Sequence, residues 1–221
     1  MAVVATRVGR TPRAEQVGAT RQQILTTAER LFAEQGLYAV SNRQISAAAG
    51  QGNNTAVGYH FGTKADLVRA IVRRHTGHIE ALRQEMAAAV EGSREVRDWI
   101  ACLVRPFTAH LDSLGGPTWF ARFGAQVMTD PAFRGIMAEE ALATPTLGRV
   151  LDGFHRCPPD LPEDVRAERG DMVRTLLVHV CAERERALAE GAATPKATWD
   201  EVADGLVDAL TGLWTAPVAR P

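Results

Sequence analysis

The stretch SAAAGQGNNTAVGYHFGTKADL, from Ser46 to Leu67, gathers two adjacent amides, a phenol, an imidazole and an ammonium between segments of apolar helical pattern. None of these groups sits where a nucleophile and a base would activate each other. They suit recognition instead. An asparagine amide can pair bidentately with adenine N6 and N7, and an arginine such as Arg43 can reach guanine or a phosphate. Hydroxyls, ring N–H groups and ammonium at helix ends, here on Ser41, Tyr59, His60 and Lys64, are donors that meet phosphate oxygens. The candidate contact set is Ser41, Asn42, Arg43, Gln51, Asn53, Asn54, Thr55, Tyr59, His60 and Lys64. Each has a plainer reading as well. Ser41 caps a helix whether or not it meets phosphate, Asn53 and Asn54 can serve the turn, and Tyr59 and His60 can be packing residues.

A second group is HTGHIE, where His75 and His78 share one helix face. Two imidazoles suggest a metal, but a site needs three or four converging ligands and nothing nearby in sequence supplies the rest. A metal-sensing repressor with His/Cys ligands stays open as an alternative, and a small helical enzyme as a weaker one. No P-loop, GxGxxG, GxSxG or HExxH pattern occurs. No catalytic residue, cofactor or metal ligand is assigned.

The elements that position these groups read as helices throughout. Residues 1–19 carry Arg7, Arg10, Arg13 and Pro12 without periodicity and read as a flexible basic arm. That arm either reaches the minor groove or neighbouring phosphates or only raises the local positive charge. From Thr20, Ile24, Leu25, Ala28, Leu31 and Phe32 recur at helical spacing, and Gly36 stands at a C-cap position. Ser41 with Gln44 forms a capping box for a short helix that Gly50 ends, Asn53 or Asn54 can cap the next, and Thr63 with Asp66 opens a longer one. Two short helices about a glycine turn, braced by an amphipathic helix, describe a helix-turn-helix whose second short helix enters a major groove. Further helices are expected near 64–91, 94–114, 118–129, 131–156, 162–190 and 195–214, with Asp130-Pro131 and Thr194-Pro195 as N-cap and first-turn proline pairs. The fold class is all-α.

Charge divides the chain. Residues 1–78 hold ten bases and four acids, a balance of +6, while the remaining 15 bases and 22 acids give −7. The basic part is the candidate for a polyanion. No apolar run reaches the roughly 18 residues of a membrane span and no secretory signal is evident, so no membrane partner is expected. Three widely separated cysteines give no disulfide framework, and the cytoplasm is the expected compartment.

The segment ILTTAERLFAEQGLYAVSNRQISAAAG followed by YHFGTKADLVRAI resembles the N-terminal domain of the tetracycline-repressor (TetR) family of bacterial transcriptional regulators. The likeness is strong over residues 20–76 and architectural beyond. It implies a helix-turn-helix DNA-binding domain at 20–66 and a helical ligand-binding and dimerisation domain at 67–221. It further implies a homodimer on a palindromic double-stranded operator, released when a small-molecule effector binds. Two departures stand out. The interval from Gly50 to Phe61 is one residue longer than the common pattern, and Gly58 stands where the family usually has a phosphate-touching tyrosine, with Tyr59 and His60 following.

Within the second domain, aromatic and soft side chains with interspersed polar groups suggest an apolar pocket. Its candidate lining is Trp99, Phe107, His110, Trp119, Arg122, Phe123, Gln126 and His179, with Arg122 best suited to an acidic ligand group. Val173, Leu177 and Val180, with Trp199, Leu206, Leu210, Leu213 and Trp214, form the candidate dimer face, a stripe that also fits ordinary intrachain core.

Overall fold

Ile24, Leu25, Ala28 and Phe32 fall on one side of a helix and are buried in the same core as Val57, Leu67, Val68 and Ile71, a core that continues through the rest of the chain. The computed structural model describes residues 12–218, and the ten described helices are α1 (Pro12–Gln35), α2 (Asn42–Ala48), α3 (Ala56–Phe61), α4 (Lys64–Ala89), α5 (Val96–Ser113), α6 (Phe120–Thr129), α7 (Arg134–Leu142), α8 (Pro145–His155), α9 (Glu163–Ala189) and α10 (Trp199–Thr215). Among the described residues there is no strand, and no helix is long and apolar enough to cross a membrane.

The first helix begins earlier than its apolar periodicity. Pro12 opens α1, with Glu15 in the first turn, so residues 12–19, expected as arm, are helical. Proline at the first position costs no hydrogen bond, and an acid there favours the helix dipole. Arg7 and Arg10 lie outside the described residues.

Both capping boxes form. Ser41 N donates to Gln44 Oε1 at 2.8 Å and Gln44 N to Ser41 Oγ at 3.3 Å, while Thr63 N donates to Asp66 Oδ2 and Asp66 N to Thr63 Oγ1, both at 3.1 Å. The cap of α3 differs from the expected asparagine: it is Thr55, whose N–H and hydroxyl both go to Asn53 Oδ1 at 2.9 and 2.7 Å. Gly50 (φ 66°) and Gly62 (φ 79°) close α2 and α3 in the left-handed region, where a side chain would be strained.

The expected single helix over 131–156 is two. Asp130 ends α6, and its Oδ1 accepts from Ala132 N at 2.9 Å in a local turn rather than capping a helix at Pro131. Pro145 instead starts α8, preceded by Thr144. Thr194-Pro195 likewise starts nothing, and α10 begins four residues later at the Thr198/Glu201 capping box.

Helix α4 is continuous for 26 residues and belongs to both halves. Its first turns pack on α1 and α3, and it continues against α5, α7 and α8. Arg69 and Arg73 tie it to Glu139 and Glu140 of α7 at 2.7–3.0 Å. α6 packs on both α1 and α9, and α10 on α5 and α9. A buried carboxylate holds the α6 junction. Glu185 of α9 accepts from Thr118 Oγ1 at 2.8 Å, Arg122 N at 2.9 Å, and Ala121 N and Arg122 Nε at 3.3 Å. No residue of α6 caps its own N-terminus, so α9 does it from outside.

Candidate nucleic-acid interface

Ile45 and Ser46 of α2 and Ala56, Val57 and Phe61 of α3 are buried, and this leaves Arg43, Gln44, Ala47 and Ala48 on the outer face of α2. Thr55, Gly58 and Tyr59 form the outer face of α3. The two helices are locked across the turn by Ser46 Oγ donating to Asn54 O at 3.4 Å and Gln51 N donating to Ser46 O at 2.9 Å. A Cβ added at Gly58 would meet open space. α3 therefore presents a flat patch beside Tyr59, where a partner surface can approach the backbone closely.

The expected contact residues separate into two kinds. Arg43, Asn54 and Tyr59 project outward, Tyr59 at 82% exposure with its ring edge-on to His60 at 5.1 Å. The others are partly engaged within the protein. Ser41 is occupied by its capping box, Asn53 and Thr55 by each other, and Gln51 Nε2 donates to Ala49 O at 2.9 Å. Asn42 Oδ1 is buried without a partner.

Lys64 differs from its expected role. Its ammonium donates to Leu37 O at 2.8 Å and Val40 O at 2.6 Å and lies 5.8 Å from the Phe32 ring centre. Burial lowers its pKa, with Asp130 pulling the other way. The group is committed to the loop between α1 and α2, where it fixes the approach to α2, rather than standing free for phosphate. The sequence reading missed this because the accepting carbonyls are 24 and 27 residues away.

The expected pocket residues do not line one cavity. Trp99 lies over Gly153, where an added Cβ would clash with the ring, and donates Nε1–H to Ser93 O at 3.0 Å. Phe107, Phe120 and Phe123 pack on one another, and Phe123 stacks on Phe32 of α1 with centroids 6.2 Å apart. Trp119 is the N-cap of α6 and is half-buried. Arg122 is bound to Glu185 and to Thr118 O, Gln126 borders the α1–α2 loop beside Gly36, and His110 joins a histidine chain. His179 lies elsewhere, in a groove of about 660 Å³ between α9 and α10 with Val180, Ala187, Val202, Gly205, Leu206 and Ala209. A smaller cavity of about 320 Å³ is bounded by Leu82, Met86, Arg105, Pro106, Asp112 and Trp199.

The expected dimer stripe divides too. Trp199, Leu206, Leu210, Trp214 and Val173 are buried within one chain, and Trp214 packs on Phe154 at 3.9 Å. They are intrachain core. The exposed apolar groups of α9 include Met172, Leu176 and Val180, about 40% exposed and spaced every fourth residue, with half-buried Leu177 and Leu213 beside them, and Leu188 further along the helix.

Among the described residues no group of three or more potential metal ligands converges. The three cysteines are buried and free, and burial raises Cys102 to about 11 and Cys181 to about 12, leaving unreactive thiols.

A helical head with two short helices about a glycine turn, exposed polar groups on the second, and a larger helical domain behind it defines a helix-turn-helix regulator. The sequence agrees. Residues 24–71 match the model for bacterial regulatory proteins of the tetR family, and residues 101–212 match the tetracyclin repressor-like C-terminal domain. The chain belongs to that family, as a transcriptional regulator with an N-terminal DNA-binding and a C-terminal ligand-binding domain. No curated protein matches it significantly. Among solved structures, the fold is similar to AmtR of Mycobacterium smegmatis (19% identity, 96% of this chain and 99% of that one, TM-score 0.55). It is also similar to the probable transcriptional regulatory protein RHA5900 (19% identity, 89% and 100%, TM-score 0.54). A third similar structure is the multidrug binding protein EbrR complexed with imidazole (21% identity, 99% and 100%, TM-score 0.50).

Proposed function

We propose that the protein is a homodimeric repressor that reads a near-palindromic operator with the outer faces of α2 and α3 and releases it when a small molecule binds the C-terminal domain. The observation that carries the base-reading part is the set Arg43, Asn54 and Tyr59, exposed beside a glycine that leaves the surface of α3 open. Arg43 and Asn54 read base edges, while Tyr59 and the α2 N-terminus position the head on phosphates. Lys64 serves this indirectly, by holding the loop that aims α2.

Dimerisation runs through the outer face of α9 and α10. Met172, Leu176, Val180 and Leu213 supply apolar surface, and Gly205, Ala209 and Gly212 let a partner helix come close. The groove between the helices accepts the partner's projecting side chains. Release follows from differential binding: the effector must favour the head spacing that does not fit the operator, since equal affinity for both spacings shifts nothing. The packed Phe107–Phe120–Phe123 centre lies between α1 and the rest of the domain, so a ligand that parts those rings moves α6 against the head.

Selection of duplexes from random-sequence DNA by the purified protein tests the reading. The expected product is a two-fold symmetric motif with half-sites about one helical turn, ~34–36 Å, apart. Retention of DNA without any enriched sequence would refute it.

A further inference from the structure

Four ionisable side chains from three helices are joined end to end at the junction of the two halves. His78 Nδ1 meets His110 Nδ1 at 2.9 Å, His110 Nε2 meets His75 Nδ1 at 2.8 Å, and His75 Nε2 meets Glu29 Oε2 at 2.9 Å. Glu29, His75 and His110 are buried, whereas His78 is exposed. The chain thus begins in solvent, crosses α4 and α5, and ends on α1 in the reading head. Every ring nitrogen but one is used. The remaining one, His78 Nε2, belongs to the exposed residue.

We infer that these residues are a proton relay from solvent to the joint between the head and the effector domain, so that proton uptake sets how firmly the head is held. With three neutral rings there are three N–H groups for three hydrogen bonds, all pointing inward: His78 donates to His110, His110 to His75, and His75 to the Glu29 carboxylate. A proton added from water at His78 Nε2 lets each ring pass its inner N–H proton one bond along. His78 hands its Nδ1 proton to His110 Nδ1, and His110 hands its Nε2 proton to His75 Nδ1. The balance is one proton taken up and one positive charge placed on His75. There His75 faces Glu29, and a hydrogen bond from a neutral ring to the carboxylate becomes an ion pair between α4 and α1.

The surroundings suit transmission rather than storage. Burial, then the adjacent His75 and His78, push the His110 imidazole down to about 4, so the central ring passes a proton without keeping it. From α6 the Phe120 ring stacks on His75 at 3.9 Å and excludes water from the inner bonds. Phe107 of α5 packs on Phe120 as well, with ring centres 5.9 Å apart. On α4, Arg74 lies 3.9 Å from Glu29 Oε2 and donates to Thr26 Oγ1 at 2.8 Å, so the carboxylate already has one cation at its rim. Asp112 of α5 is exposed toward the α10 side. Ring nitrogens pair off along the chain instead of converging, which suits protons and not a metal.

The consequence for operator binding rests on the regulator reading, but the relay itself does not, and the test separates them. Nitrogen NMR of the imidazole rings is recorded for the full chain as the pH is lowered from 8 to ~5.5. Imidazolium should appear on His75 before His78. In His78→Phe, which leaves His110 Nδ1–H without an acceptor, the His75 midpoint should fall by about a pH unit or more, whereas His78→Gln, which can accept, should keep it. A His78 that titrates alone, or a His75 midpoint indifferent to residue 78, overturns the relay. Affinity for the duplex selected from random DNA is then measured over the same range at fixed ionic strength. A change of about tenfold is expected for the natural chain and its loss in Glu29→Gln, in the usual range of coupling between sites. Equal pH profiles for the two proteins would overturn the link to the head. If no duplex is enriched at all, the regulator reading fails and the NMR result still decides the relay.

Discussion

Replacing Lys64 with alanine distinguishes two physical roles that predict different numbers. As a phosphate contact, Lys64 would contribute one released counterion, so its loss would lower the slope of log affinity against log salt by ~0.9 and leave stability unchanged. The geometry assigns it another role. Its ammonium makes two charge-assisted hydrogen bonds to Leu37 O and Val40 O. Such bonds contribute roughly 1.5–3 kcal/mol each when well shielded. Lys64 is only half-buried, and water can partly replace the ammonium at the two carbonyls, so ~2 kcal/mol for the pair is a reasonable sum. For a chain of this size that is a fall in Tm of ~4–8 °C. Operator affinity should also fall, because the loop before α2 is no longer fixed, yet with the same salt slope as the natural chain. Thermal denaturation and anisotropy titrations at four salt concentrations measure both quantities. An unchanged Tm together with a shallower slope would refute the brace and restore the phosphate contact.

Other outcomes follow from the same geometry. Leu176→Glu should convert a dimer into a folded monomer in sedimentation, while Leu210→Glu, a change inside the chain's own core, should unfold it. Glu185→Ala strips the N-terminus of α6 of its cap and leaves buried donors unpaired, and a loss of ~2–4 kcal/mol is expected in urea denaturation. Stability should fall as the pH drops from 6.5 toward 4, because the unfolded chain protonates His110 at its ordinary value and the folded one only near 4. The bound on this loss is about 3 kcal/mol, and His110→Gln should flatten that part of the profile. Arg43→Ala and Asn54→Ala should each change sequence preference in repeated DNA selections, at roughly 1–3 kcal/mol per lost bidentate contact.

What was legible in the sequence is what depends on near neighbours. The Ser41/Gln44 and Thr63/Asp66 boxes set two helix starts through bonds spanning three residues, and both were readable. The Thr198/Glu201 box obeys the same rule, although Thr194-Pro195 is the more conspicuous pair in the sequence. Amphipathic spacing told which faces of α10 are apolar, but not whether the partner is Phe154 of the same chain or a second copy, because period alone carries no identity of the other side. The roles of Lys64, Glu185 and the histidines were hidden for a common reason. Their partners lie 24 to 67 residues away in sequence, and only the packed structure brings them together. The imidazoles of HTGHIE are visible in the sequence, but their partners on α1 and α5 are visible only in the packed chain.

The continuity of α4 has a consequence for exchanging parts between relatives. A head and an effector domain joined by a loop can be recombined at almost any residue of that loop. Here the seam runs through the interior of one helix, from Lys64 to Ala89. A single residue inserted between Val72 and His75 would turn everything after it by about 100° and shift it by about 1.5 Å. It would carry His75 away from Glu29 and turn the head against the domain behind it. Chimaeras of this protein must therefore be spliced in helical phase, with the length from Thr63 to His75 unchanged. Lineages that borrow new effector domains should vary freely in the turns after α5 and α6, while this interval keeps its count.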